Sequence, residues 1–255
     1  MKKKLRFILY QTSAISALLF GRKRRFMNLG YDTEDNTIIN ITDQKDYHHI
    51  SLYMKLLNMV PGINDVGKNW SALEFGCGRG GGCYVMENYY GISKITGIDL
   101  SSANIKFASK FLPKIRFITS DATTFNAEEK FDLILNLESS HAYSSRLEFF
   151  KKVKLSMHNT SFFAFGDIIK KENLEEVELM VKDLGFVIIK KETINERVVK
   201  SIKKNSIKQY FLPTKFPFLF PRKLHSFFVT VHSRAFYKLT AKDVLYQLYL
   251  IQKKI

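Results

Sequence analysis

Cysteine is scarce in this chain. Its 255 residues include two, Cys77 and Cys83, both in one glycine-rich stretch. A disulfide framework needs more cysteines at spaced positions, so these read as reduced thiols in a reducing compartment. His48, His49, His141, His158, His225 and His232 do not complete a metal-ligand spacing with them, and no metal site is expected. Long hydrophobic runs are also missing. The apolar stretch Phe7–Phe20 is interrupted by Thr12, Ser13 and Ser16, and a spanning helix needs roughly 20 apolar residues. Basic Met1–Arg6 ahead of it imitates a secretory leader, but no small-x-small cleavage site follows; Gly21-Arg22-Lys23-Arg24-Arg25 does. An amphipathic helix fits better, with Ile8, Ile15, Leu18 and Leu19 near one face, lying on a membrane or covering the core. Acidic residues are missing from both ends. Residues 1–25 carry eight Lys/Arg and no acid, and residues 197–255 carry thirteen and one, while the whole chain is +16. The middle is therefore mildly acidic. Basic ends suit a polyanion, either an anionic membrane surface or nucleic acid, or simply keep the protein in solution. The expected location is cytoplasmic, with scope for peripheral membrane contact.

What is present is an alternation. Apolar runs Ser71–Phe75, Lys94–Asp99, Lys114–Thr119, Phe131–Asn136, Ser161–Asp167 and Phe186–Lys190 read as strands. Helical segments separate most of them: Gly80–Tyr90, a helix capped by Ser102 and running to about Phe111, Arg146–Leu155, and Glu172–Leu184. Continuous apolar strands separated by helices predict a parallel sheet covered on both faces, which binds ligands at the carboxyl ends of its strands. Upstream, Ile50, Met54 and Leu57 give Asp46–Val60 a helical spacing. Downstream, Thr193–Thr240 turns basic and aromatic, broken by Pro213, Pro217 and Pro221, before Val244–Ile251 returns to a strand pattern. The predicted organisation is an N-terminal helical cap (1–60), an α/β core (61–192), a basic aromatic helical lid (193–240) and the last strand of the core sheet (241–255).

Leu73-Glu74-Phe75-Gly76-Cys77-Gly78-Arg79-Gly80-Gly81-Gly82 takes a strand into a glycine loop and then a helix. Glycines let a ligand approach the backbone, and the helix N-terminus offers N–H groups to an anion. Gly76, Gly78 and Gly81 satisfy G-x-G-x-x-G, and Asp99 follows where a ribose-binding acid belongs, so a dinucleotide site is the rival reading. Two features oppose it. Glu74 ends the first strand, where a pyrophosphate does not favour a carboxylate. Asp121, in Ser120-Asp121-Ala122, closes the third strand. Acids at three successive strand ends suit a ligand carrying an amino group, a ribose and an adenine.

At Leu73–Gly82, Gly97-Ile98-Asp99-Leu100-Ser101, Ser120-Asp121-Ala122 and Phe131–Asn136 the sequence resembles the class I methyltransferases. The resemblance implies a Rossmann-like fold with a mostly parallel seven-stranded sheet, N-terminal helices and a helical insertion before the last strand. It also implies S-adenosyl-L-methionine as cofactor, with the binding roles on Glu74, Gly76, Gly78, Asp99, Leu100, Asp121 and Ala122. Cys77 and Gly80 complete the loop and Asn136 ends the fourth strand; they join that set. Asn136-Leu137-Glu138-Ser139-Ser140-His141-Ala142-Tyr143 is similar to a segment of the phthiotriolone/phenolphthiotriolone dimycocerosate methyltransferases, which O-methylate a hydroxyl of a long lipid. Met27–Tyr31, His49–Tyr53 and Ala241–Lys253 extend the likeness. Met157-His158-Asn159-Thr160 stands where that family has Pro-Gly before the fifth strand, and the C-terminal region here is unusually rich in Lys and Phe.

A hydroxyl is a poor nucleophile until a base takes its proton. His141 is the expected base, with Glu138 orienting it or binding the acceptor; His49 is the rival base. His49 and Tyr53 share a helix face, four residues apart, and with Tyr143 are expected near the substrate. Each could equally be a packing residue. The expected acceptor is a small or lipid-like molecule. The basic ends keep an RNA or protein methyltransferase as the alternative, although Asn136-Leu137-Glu138-Ser139 lacks the prolines common in base N-methylation. A binding protein that kept the fold and lost catalysis is disfavoured by the intact loop, Asp99 and Asp121.

Overall fold

The computed structural model describes residues 25–33, 45–66, 69–215, 231 and 233–254. Its strands are β1 (Ser71–Phe75), β2 (Lys94–Asp99), β3 (Arg116–Thr119), β4 (Phe131–Leu137), β5 (Met157–Lys170), β6 (Phe186–Thr193) and β7 (Val244–Lys253). They form one sheet in the order β3-β2-β1-β4-β5-β7-β6. β1 to β5 are parallel, and β7 enters antiparallel between β5 and β6.

Both faces of the central strands are buried, which is why β1, β4 and β5 read as largely apolar runs. Ala72, Leu133, Leu135, Ala164 and Leu248 belong to one core cluster, with α1 (Tyr47–Leu57), α2 (Gly81–Tyr90), α6 (Asn195–Lys215) and α7 (Arg234–Thr240). Their strand neighbours Leu73, Ile134, Phe163, Phe165 and Tyr249 belong to the other, under α4 (Arg146–Leu155) and α5 (Leu174–Asp183). The rings of Phe163, Phe165 and Tyr249 stack in sequence across β5 and β7, at 5.5 and 5.8 Å. Such stacking adds to simple area burial.

Three local expectations change. The helix after β2, α3 (Ser102–Phe111), is capped one residue earlier than expected: Ser101 is extended and its side chain accepts from the Asn104 N–H. β5 starts at Met157, because Met157 pairs with Phe131 before the register jumps to Leu133 and Phe162. His158, Asn159 and Thr160 form that exposed irregularity, so the departure from the family's Pro-Gly is absorbed inside a strand. Pro213 does not end the insertion's first helix, since α6 runs on to Lys215. The expected N-terminal amphipathic helix and the phenylalanine-rich stretch around Pro217 and Pro221 lie outside the described residues. Among the described residues no helix is long and apolar enough to cross a membrane.

One buried side chain ties the two ends of the insertion to the last strand. Asn195, 2% exposed at the start of α6, donates to the carbonyls of Leu239 and Val244 and accepts from the Tyr246 N–H at 2.7 Å. It thereby joins α6, the end of α7 and the start of β7. Asn195→Ala removes three bonds from buried backbone groups, and urea unfolding is expected to show a loss of about 3 kcal/mol at roughly 1 kcal/mol per bond.

Candidate active site

The loop after β1 crosses the carboxyl edge of the sheet and turns into α2. Gly76 has φ +68, and a Cβ there would collide with Ser139 Oγ and Tyr143 OH. A Cβ on Gly82 would overlap the Glu74 carboxylate. Glu74 itself is 1% exposed. Its Oε2 accepts from the Cys83 N–H at 2.8 Å and from the Cys83 thiol at 3.1 Å, and its Oε1 accepts from Tyr53 OH at 3.3 Å. Glu74 thus satisfies a backbone N–H in the first turn of α2. Burial pushes its carboxyl up to about 7, against the hydrogen bonds from Cys83 and Tyr53. The same burial raises the thiols of Cys77, to about 11, and of Cys83.

Asp99 ends β2 half-buried. Its Oδ2 accepts from the Gly78 N–H and its Oδ1 from the Ser101 N–H, both at 2.9 Å, and from Asn104 Nδ2 at 3.3 Å. Burial raises its carboxyl above the ordinary value despite those donors. Leu100 beside it is 54% exposed. Asp121 follows β3; its Oδ1 takes both the N–H and the hydroxyl of Thr123 at 2.7 Å. Ala122 is buried. Gly80 caps α2 in the left-handed region, and the space a side chain would need is filled by Leu112 and Phe117. Asn136 is fully buried; its Nδ2 lies 2.9 Å from the Phe75 carbonyl, 2.6 Å from Ser139 Oγ and 3.0 Å from Tyr143 OH, and its Oδ1 has no hydrogen-bond partner among the described residues.

These features fit S-adenosyl-L-methionine. Among the described residues, Met27 Sδ is the one side-chain atom within 4 Å of where a Gly78 Cβ would sit, at 3.2 Å, while Asp99, Leu100 and Asp121 present an acid, an exposed apolar side chain and a second acid along adjacent strand ends. Gly78, Asp99, Leu100 and Asp121 would hold it, and Glu74 would hold the loop.

After β4 the chain turns sharply. Glu138 takes φ +51, and the single turn Ser140–Ala142 follows. His141 Nδ1 lies 2.7 Å from Asp167 Oδ1, and the His141 N–H donates to Asp167 Oδ2 at 2.8 Å. Ser140 Oγ donates to the same Oδ2. Arg146 Nε donates to Ser140 Oγ at 3.1 Å, and its terminal nitrogen lies 3.8 Å from Asp167 Oδ2. Asp167 is fully buried while the His141 side chain is 34% exposed. Burial alone would raise the Asp167 carboxyl, but His141, Ser140 and Arg146 outweigh it and hold it below the ordinary value. An ionised carboxylate only accepts, so the proton of a neutral His141 sits on Nδ1.

The carboxylate that meets His141 is therefore Asp167 and not Glu138. Glu138 turns elsewhere: its Oε1 accepts from the Leu29 N–H at 2.9 Å and from Tyr246 OH at 2.7 Å. Burial pushes its carboxyl up to about 7, against those two bonds. The signal for Asp167 was available, since it is an acid toward the carboxyl end of an apolar run, like Glu74 and Asp99.

A strap, residues 25–33, crosses this edge. Phe26 packs 6.2 Å from the rings of both His49 and Tyr53. Asn28 Oδ1 is 3.0 Å from His49 Nδ1, and Leu29 meets Glu138. His49 and Tyr53 are thus brought together as their spacing implied, but Tyr53 is occupied by Glu74 and His49 by the strap. Tyr143 sits with Ser139, hydroxyl to hydroxyl at 2.9 Å, against Gly76. The turn that carries His141 therefore touches the glycine loop. Among the described residues no group of three or more metal-ligating side chains occurs.

The sheet order, the glycine loop and the acids at successive strand ends define a class I methyltransferase. A family model described as a methyltransferase domain matches residues 72–157. The chain is 31% identical over 188 residues to a probable phthiotriol/phenolphthiotriol dimycocerosates methyltransferase 2 of Mycobacterium ulcerans, covering 72% of this chain and 71% of that protein. It is 28% identical to a fatty-acid O-methyltransferase of Mycolicibacterium smegmatis, covering 71% and 66%. In three dimensions it matches an O-methyltransferase of a polyketide synthase from Brevibacillus brevis, in complex with S-adenosyl-L-homocysteine, with TM-score 0.63 and 15% identity over 79% of this chain and 72% of that one. The chain belongs to the S-adenosyl-L-methionine-dependent methyltransferases, in the family of the phthiotriol/phenolphthiotriol dimycocerosates methyltransferases. It is an enzyme that uses S-adenosyl-L-methionine.

Two outcomes test this geometry. Glu74 binds a proton in the folded protein up to about pH 7 that an ordinary carboxyl loses near 4.5. Its contribution to stability is therefore full below the lower value and lost as pH rises through the upper one. Thermal melts at pH 5 and pH 8 should show a smaller drop in Glu74→Gln than in wild type. Glu138→Ala unfastens Leu29, and calorimetry should show S-adenosyl-L-methionine binding weakened about tenfold, the equivalent of one charge-assisted hydrogen bond.

Proposed function

We propose that this enzyme O-methylates a hydroxyl of a lipid-like or long-chain small molecule, with His141 as general base. The observation that carries the reading is the contact between His141 and buried Asp167, placed beside the glycine loop by Ser139 and Tyr143. When bound, S-adenosyl-L-methionine supplies a methyl group already activated on a sulfonium. What remains for the chain is to orient the acceptor, take its proton and keep water out. The acceptor's proton goes to His141 Nε2, the ring nitrogen opposite the one held by Asp167. Asp167 stabilises the imidazolium that results. Glu138, Leu29 and Tyr246 hold the strap across the edge, so that the site closes over both reactants.

The named relatives support a lipid-like acceptor, since they are a dimycocerosate methyltransferase and a fatty-acid O-methyltransferase. The aromatic content of residues 193–240 suits an apolar substrate. This region serves as a lid, residues 1–60 as a cap, and the basic ends as a peripheral contact with anionic membrane. The fatty-acid relative also motivates a second reading, a carboxylate acceptor that needs no base.

The test is incubation of the enzyme with methyl-labelled S-adenosyl-L-methionine and an extract of its own cells, followed by partition of the label. Label in organic solvent is expected, abolished in Asp99→Ala and reduced about a hundredfold or more in His141→Ala, the usual scale for loss of a general base. Full transfer by His141→Ala points to a carboxylate acceptor. Label in nuclease- or protease-sensitive material overturns the substrate assignment in favour of RNA or protein.

A further inference from the structure

Asp167 meets an imidazole and a guanidinium. Its Oδ1 faces His141 Nδ1 at 2.7 Å, and its Oδ2 is shared by Ser140 Oγ and, 3.8 Å away, the guanidinium of Arg146. Arg146 is the first residue of α4 and reaches back to Ser140 through its Nε. A fully buried aspartate with the imidazole as its sole charged partner would bind the imidazolium tightly. That would help His141 accept a proton and hinder it from releasing one.

We propose that Arg146 is a positioning residue for the proton transfer: by sharing the Asp167 carboxylate, it limits how tightly Asp167 holds a proton on His141. The inference rests on His141 being the base of the proposed reaction. In each cycle a proton leaves the acceptor's oxygen for Nε2 as that oxygen takes the methyl group, and it then passes to water. His141, a third exposed, has access to solvent for that last step. Among the described residues, Glu138 and Tyr143 from the turn after β4 and Tyr246 from β7 also feel the charge of Asp167, and Tyr249 of β7 feels that of Arg146. Of these only Glu138 titrates near neutrality, so its own titration must be separated from that of His141.

The experiment needs no acceptor. The ring Cε1–H signals of the histidines are followed by NMR against pH in the full chain, and the His141 signal is assigned by its loss in His141→Ala. In Arg146→Met the His141 midpoint is expected to rise by about one pH unit, the lower end of the effect of a charge within about 6 Å. Arg146→Lys keeps the charge and is expected to stay near wild type. Glu138→Gln identifies any part of the shift that belongs to Glu138. Arg146→Gln, which retains a donor for Ser140, carries the same expectation if the methionine variant does not fold. An unmoved midpoint in both neutral variants, with the other histidines unchanged, overturns the role of Arg146. A shifted midpoint, together with wild-type label transfer by His141→Ala, overturns instead the base assignment on which it rests.

Discussion

The Glu74 carboxylate, buried at the end of β1, is the constraint around which this site is built. An ionisable group with 1% exposure must be satisfied by protein donors or be costly. The donors come from two helices: the Cys83 N–H and thiol from α2, and Tyr53 OH from α1. Strand, loop and both helices therefore fix one another. Gly82 must lack a side chain because the carboxylate fills its space, and Gly76 because the turn after β4 fills its own. The glycines of this loop are thus needed as much for what lies beneath the backbone as for a ligand above it.

The strap depends on the same arrangement. Tyr53, pinned by Glu74, is one wall of the place where Phe26 packs. From there the strap is held at each step by a different element. Leu29 donates to Glu138 and accepts from Ser201 of α6, Tyr31 donates to the His48 carbonyl, and Asp32 meets Lys204 of α6 at 2.7 Å. α6 is in turn fixed to β7 through Asn195. α6 and the N-terminal strap, 172 residues apart in the chain, are thus held to each other.

The sheet was legible because both faces of its central strands are buried. Strands that pack on two sides are apolar at every position, so β1, β2 and β4 stand out with their ends within two residues of where they fall. Ser101 was missed as a cap because Ser102 offers the same side chain, and only backbone geometry separates them. The three acids at strand ends were legible by position, but their work was not. Position gives Glu74, Asp99 and Asp121 the same rank, whereas burial turns Glu74 inward and leaves Asp121 with one oxygen on Thr123. Asp167 went unassigned because its partner lies 26 residues away on another element. The pairing of Glu138 with Leu29, 109 residues distant, is beyond any periodicity.

Glu138 and Asp167 show how one turn separates two carboxylates chemically. The Glu138 N–H donates to the Gly166 carbonyl, so the two acids stand on neighbouring backbone. Both are withdrawn from solvent, which by itself raises a carboxyl. Glu138 accepts from a backbone N–H and a tyrosine hydroxyl, and burial outweighs these and the more distant His141, so it rises to about 7. Asp167 meets an imidazole, a hydroxyl and a guanidinium, and is held down. Environments that push two acids apart assign them different tasks. The acid held ionised is the one against the imidazole. The acid that can take up a proton near neutrality is the one that receives the strap's Leu29 N–H. The left-handed backbone at Glu138 makes this division possible, because it turns that side chain toward β7 and the strap while the next three residues bring His141 onto Asp167.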